Sequence, residues 1–165
     1  YKKLSVPSTR DLIRKIQSKI PARIVLLGGP EDEARNREIA EGLDVISSPT
    51  RNGLRDGLIS MATCDVVFSG DSLGLHMAIG LKIPTVAWFG PTCPQEIDLF
   101  ENGTKILAQV PCSPCWKRSC QRNPMCYDRV DLDEVTEAVE KLLCKSSRFL
   151  SSKRPSSEIS FSASP

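Results

Sequence analysis

The sequence predicts an α/β domain of the Rossmann-like, doubly wound kind, a parallel sheet with helices on both faces. Three features predict it. Short apolar runs alternate with stretches of helical periodicity, and parallel strands need such crossovers. Polar turns rich in glycine, serine and proline fall where the strands should end. A chain of 165 residues that is 40% hydrophobic is long enough to bury one core.

A leading helix is expected first, from the spacing of Leu12, Ile13, Ile16 and Ile20, with Ser8 or Thr9 as its cap. Strands follow at 23–28, 44–47, 65–69 and 83–89, separated by helices at 31–42, 54–64 and 72–81, which reads as βαβαβαβ. A last helix is expected over 132–143. Past Cys144 the composition turns to Ser, Lys, Arg and Pro with little apolar content to bury, so 146–165 is expected to be a disordered tail and 1–145 the compact unit. No repeat of about 20–50 residues is present.

Composition narrows the function. The formal charge of +2 is the difference between 22 basic and 20 acidic residues, which gives no broad basic field, and nucleic acid is not expected as a partner. No run approaches the roughly 18 apolar residues of a membrane span, and the first residues lack the apolar stretch of a signal peptide. A soluble, cytoplasmic chain is expected, with at most peripheral contact at the inner face of a membrane. Because it begins at Tyr1 and not Met, the chain is also expected to be a fragment or a processed product. The seven cysteines are an odd count, with Cys112, Cys115, Cys120 and Cys126 clustered. Reduced thiols, not a disulfide scaffold, are expected without a secretory signal.

In doubly wound sheets ligands bind outside the carboxyl ends of the strands, which directs attention to the loops 28–31, 47–54, 69–76 and 89–96. In the third, Ser69-Gly70-Asp71-Ser72-Leu73-Gly74-Leu75-His76, a strand runs into a helix that begins at Asp71 or Ser72. Free backbone N–H groups and the helix dipole at such a start attract a diphosphate, and the Ser72 hydroxyl adds a donor. The blander alternative is that Asp71 or Ser72 caps the helix. His76, the single histidine, follows one turn after Ser72, where it can face the same ligand or simply pack.

Other motifs carry competing readings. Gly70-Asp71-Ser72-Leu73 spells a GDSL signature, and Gly70-x-Ser72-x-Gly74 matches a nucleophile elbow. A serine hydrolase needs a histidine base far downstream, and no histidine follows His76. Asp131-Leu132-Asp133 fits a metal-holding Asp-x-Asp, but it opens the last helix, where acidic residues cap. Gly28-Gly29-Pro30 is not G-x-G-x-x-G, so NAD is not expected. The spacing Cys112-x2-Cys115-x4-Cys120-x5-Cys126 leaves open a metal-held clip, a disulfide pair or free thiols. Lys117, Arg118, Arg122 and Arg129 nearby read as a solvated loop or a face for an anionic acceptor.

From Gly70 to Thr92 the order Asp-Ser turn, His76, Ala-containing helix, Pro84-Thr85-Val86 and Phe89-Gly90-Pro91-Thr92 resembles the heptosyltransferases of glycosyltransferase family 9. Ile24-Val25-Leu26-Leu27-Gly28-Gly29-Pro30-Glu31 upstream resembles the family's Gly-Gly-Pro turn, and Glu96-Ile97-Asp98-Leu99-Phe100, Asn102-Gly103 and the cysteines resemble one branch of it. The likeness runs from about Ile24 to Leu143.

That resemblance implies one half of a glycosyltransferase B fold, the C-terminal half that holds a nucleotide sugar such as ADP-heptose, with no cofactor or metal required. It implies that Ser72 with the Leu73 and Gly74 backbones meets the diphosphate, with Asp71 in the turn and His76 beside it as a leaving-group stabiliser. Gly28, Gly29 and Glu31 are implied at the ribose. The catalytic base and the acceptor site belong to an N-terminal half that is the implied partner. One departure is that the family has Gly directly after the Ser or Thr, where Leu73 stands here. A non-catalytic nucleotide-binding module is the alternative of a different class.

Overall fold

The computed structural model describes residues 3–146, so the tail expected over 146–165 lies outside the described residues, apart from Ser146, which ends the last helix. The first helix, α1 (Val6–Lys19), starts earlier than expected. Its cap is Ser5 and not Ser8 or Thr9: the Ser5 hydroxyl accepts from the Ser8 N–H at 3.3 Å. Pro7 lies in the first turn, where no intrahelical N–H is needed, so it begins the helix where it would break an interior. Ser8 instead donates its hydroxyl to Asp128 at 3.0 Å, and Thr9 donates to the Ser5 carbonyl at 2.8 Å.

The remaining order is β1 (Ile24–Leu26), a 3-10 turn (Pro30–Asp32), α2 (Glu33–Ala40), β2 (Val45–Ser47), α3 (Leu54–Ala62), β3 (Val67–Gly70), α4 (Leu73–Gly80), β4 (Thr85–Phe89), β5 (Gly103–Leu107) and α5 (Leu132–Lys145). The alternation predicted from the sequence is present. The strand β5 is an addition to it. All pairings are parallel, in two hydrogen-bonded groups, β1–β2 and β3–β4–β5. Ile24 of β1 packs in one cluster with Val66 and Phe68, so the groups share a core without a shared ladder.

Strand β4 organises that core. All five of its residues are buried, as in a parallel strand covered on both faces. Because side chains alternate, Val86 and Trp88 face the cluster built from α1 and α5, while Ala87 and Phe89 pack with Leu75 of α4 and Leu99. In α5 the buried Val135, Ala138, Val139 and Leu142 recur at three and four residues, one apolar stripe. Met61 of α3, Val67 and Ala78 of α4 form a smaller cluster, against which Leu27 packs at the exit of β1. Arg10 of α1 donates to the carbonyls of Glu38 and Ile39 at 2.9 and 2.8 Å, satisfying acceptors at the end of α2.

Candidate functional site

The exit of β3 is built from two hydroxyls. Ser69 donates to the Gly70 carbonyl at 2.9 Å, and its oxygen lies 3.1 Å from that of Ser72. Ser72 is the N-cap residue of α4 by position, yet its side chain makes no cap hydrogen bond. The capping alternative therefore does not describe Ser72, whose hydroxyl faces Ser69. The first-turn amides of such a helix have no intrahelical partner and carry the positive end of the dipole. A Cβ at Gly74 would meet the Ser72 and Ser69 hydroxyls and the Met61 Cε at 3.5, 3.7 and 3.9 Å, which is ordinary contact.

Ser72, Leu73 and His76 are exposed, and Asp71 and Gly74 are half-buried. The backbone N–H of His76 donates to the Ser72 carbonyl at 3.4 Å, which places the residue one turn after the serine on the same short helix. The arrangement offers a hydroxyl pair, a helix start and an imidazole to an anion. Ser72 pairs with a hydroxyl and not with a base, so the hydrolase reading gains nothing from the geometry.

At the exit of β1, Gly28 and Gly29 allow the chain to fold over its own acidic turn. A Cβ at Gly28 would stand 2.6 Å from the Asp32 Cβ, and one at Gly29 would stand 2.5 Å from a Glu31 carboxylate oxygen. Glu31 is exposed. Asp32, which sequence reasoning passed over, accepts from the Gly29 N–H at 3.4 Å and pairs with Lys3. Its signal was weak: two adjacent acidic residues, one of which is fixed by a lysine far away in the chain.

Two concavities lie elsewhere than the Ser69–His76 turn, the larger of them lined by Glu33 and Asn36 beside the Gly28–Asp32 turn. One of about 870 Å³ runs along α2 and the loop 47–52, and one of about 270 Å³ is lined by Cys112, Cys115, Cys120 and Cys126. Neither is lined by Ser72 or His76, which are exposed. The four clustered cysteines do come together: the neighbouring Cys115, Cys120 and Cys112, after burial, push the Cys126 thiol up from its ordinary value. Asp131 caps α5 through the N–H groups of Asp133 and Glu134, and Asp133 pairs with Lys15 and Lys19, so the Asp-x-Asp is used by the helix. Among the described residues no helix is long and apolar enough to cross a membrane.

The family model described as glycosyltransferase family 9 (heptosyltransferase) matches residues 9–126, from α1 through the last clustered cysteine. Similar proteins include the lipopolysaccharide heptosyltransferase 1 of Pseudomonas aeruginosa, 27% identical over 135 residues, which are 70% of this chain and 37% of that protein. The lipooligosaccharide heptosyltransferase 2 of Campylobacter jejuni is 30% identical over 86 residues, 50% of this chain and 27% of that one. Among solved structures, the E. coli ADP-heptose lipopolysaccharide heptosyltransferase II superposes with a TM-score of 0.69 at 20% identity, over 87% of this chain and 43% of that one. The E. coli heptosyltransferase WaaC with ADP gives 0.66 at 23% identity, over 86% of this chain and 40% of that one. The chain thus spans less than half the length of these relatives. With the family model covering more than half of its residues, this chain belongs to glycosyltransferase family 9.

Proposed function

We propose that this chain is the donor-binding, C-terminal half of a glycosyltransferase that moves heptose or a related sugar from a nucleotide sugar such as ADP-heptose to an envelope glycan such as a lipopolysaccharide core. The observation that carries the reading is the start of α4, where the N-cap residue Ser72 turns its hydroxyl to Ser69 and makes no cap bond of its own, and His76 follows one turn on. An inverting transfer leaves a nucleoside diphosphate with growing negative charge. A helix start, hydroxyl donors and an imidazole stabilise that charge as it develops. Glu31 stands exposed at the neighbouring strand exit, suited to accept hydrogen bonds from ribose hydroxyls.

Leu73, where the resembled pattern has glycine, is 63% exposed, so its side chain does not fill the interior behind the turn. An open face fits a cleft completed by another half of the protein. That half supplies the acceptor site and the carboxylate base that deprotonates the attacking hydroxyl. The relatives act on lipopolysaccharide or lipooligosaccharide by name; for this chain the envelope acceptor, and transfer at the cytoplasmic face of the membrane, belong to the proposal.

Calorimetric titration with ADP, UDP and GDP tests the reading, using the chain and a Ser72→Ala, His76→Ala double variant. ADP should bind most tightly, and the double variant should lose about tenfold or more in affinity, the cost of charge-assisted hydrogen bonds. A folded chain that binds none of the three, or binds ADP equally well without both side chains, overturns the assignment.

A further inference from the structure

Between the end of β5 at Leu107 and the start of α5 at Leu132 the chain forms neither strand nor α-helix, only the short 3-10 turn Cys126–Arg129. A connection this long is uncommon in a compact domain unless it carries a function. It is also tied down. The Cys115 and Trp116 N–H groups donate to the Pro91 carbonyl at 3.1 and 2.7 Å, and the Ser113 hydroxyl donates to the Gly90 carbonyl. These bonds hold the loop against the turn that leaves β4.

Positive charge is concentrated in this loop. Across the whole chain 22 basic residues nearly balance 20 acidic ones, but residues 108–130 hold Lys117, Arg118, Arg122 and Arg129 against the single acid Asp128. Asp128 is turned to α1, where it accepts from the Ser5 N–H and the Ser8 hydroxyl, both at 3.0 Å. Lys117, Arg122 and Arg129 line the cavity of about 270 Å³, and no carboxylate does. Among the described residues no ion pair uses any of the three. Ser119 and Asn123 add neutral donors to the same wall.

Three cations around one small cavity repel one another, and an anion between them offsets that repulsion. A dianion suits three positive charges better than a carboxylate does, and guanidinium forks meet phosphate oxygens two at a time. Size sets a second limit. Pockets that enclose a whole small molecule run from roughly 300 to 1,000 Å³, so this cavity takes a group and not an entire nucleotide sugar.

We propose that the cavity lined by Lys117, Arg122 and Arg129 binds one phosphate group. Gly70 of β3 stands beside Trp88 of β4, so the Gly90–Thr92 turn that carries the loop leaves the same sheet edge as the Ser69–Ser72 turn. A phosphate held there belongs to a molecule handled at that edge. Resting on the glycosyltransferase reading above, that molecule is a sugar acceptor bearing a phosphate, and the cavity is a subsite separate from the donor's diphosphate at Ser72.

The test is arginine modification by phenylglyoxal, mapped by mass spectrometry on the full chain at constant ionic strength. Saturating inorganic phosphate should slow modification of Arg122 and Arg129 at least about threefold relative to chloride, and glucose 6-phosphate should do the same. Arg118, on the same loop but outside the cavity, is the control and should react at an unchanged rate. Arg122→Gln should raise the phosphate concentration needed to protect Arg129 about tenfold, the effect of one charge-assisted hydrogen bond. The Ser72→Ala, His76→Ala variant should keep full protection. Equal slowing of all three arginines, or of none, overturns the site. Loss of protection in the Ser72→Ala, His76→Ala variant also overturns it, by placing the phosphate at the α4 turn. Protection by inorganic phosphate and not by glucose 6-phosphate overturns the link to a sugar acceptor. A chain that binds no ADP yet protects Arg122 and Arg129 fails the donor assignment and keeps the phosphate site. The protection readout uses the unaltered chain, so a variant that fails to fold does not blunt the test.

Discussion

A Cβ placed on Gly103 would stand 2.3 Å from the backbone carbonyl oxygen of Thr85, its register partner in the β4–β5 ladder. A backbone oxygen in a buried strand cannot turn aside as a flexible side chain can. Gly103→Ala should therefore destabilise the domain by about 2 kcal/mol, in the range of overpacked cores, read as a lower urea midpoint with an unchanged slope. Gly80→Ala is the control: nothing lies within 4 Å of its Cβ, and the substitution should be neutral or stabilising by about 0.5–1 kcal/mol. A Gly103→Ala chain as stable as the parent would mean that β5 does not pair with β4 in this register.

Gly90 meets softer neighbours. Its Cβ would stand 2.9 Å from the Cys126 sulfur and 3.0 Å from the Trp88 ring, and Trp88 is held in the core at 3% exposure. The sulfur is the atom that can yield. Gly90→Ala should cost about 1–2 kcal/mol, and in a Gly90→Ala, Cys126→Ala double variant part of that cost should disappear as a coupling of about 0.5 kcal/mol or more. Urea unfolding of the four chains of the cycle measures it. Strict additivity would show that the β4 exit and the cysteine loop are not in contact.

These two glycines also show where sequence reading reaches its limit. The crossover pattern is local, a matter of apolar spacing and turn residues, and it predicts β1 to β4 with their helices. Strand β5 is not legible that way: Gly103-Thr104-Lys105-Ile106-Leu107 opens on a poor strand former and carries a lysine, and it is a strand because β4 is beside it. The same division runs through the site. Ser72 and His76 share one turn and can be found by spacing. Ser69 and Asp32 cannot, because what matters is the Ser72 hydroxyl next to one and Lys3, from the other end of α1, next to the other. The α1 cap moved to Ser5 for a related reason: Asp128, far along the chain, takes the Ser8 hydroxyl.

Ser69 should matter for nucleotide binding although the resemblance assigns it no role. Its hydroxyl touches both the Gly70 carbonyl and the Ser72 hydroxyl, so it sets where Ser72 points. Ser69→Ala should weaken ADP binding about three- to tenfold by calorimetry, close to one neutral hydrogen bond, with little change in the urea midpoint. Because Ser69 acts through Ser72, its effect should vanish in a Ser72→Ala background. An effect of Ser69→Ala that persists there would place Ser69 in direct contact with the nucleotide.

Acid sensitivity should enter at the joint between α1 and α5. A hydrogen bond from Lys15 holds the Asp133 carboxyl below its ordinary value against the opposing effect of burial, and the charges of Lys15 and Lys19 add to it. A group whose folded pKa is depressed contributes stability above its unfolded value, about pH 4 for a carboxyl, and loses it as the pH falls through the folded value. The parent should therefore exceed Asp133→Asn in urea midpoint at pH 7, and the gap should close as pH drops below about 4. Asp133 and Lys19 are exposed and Lys15 is half-buried, so salt should shrink the gap at neutral pH as well. A gap independent of both pH and salt would mean that the aspartate acts by helping to start the helix and not by pairing with α1.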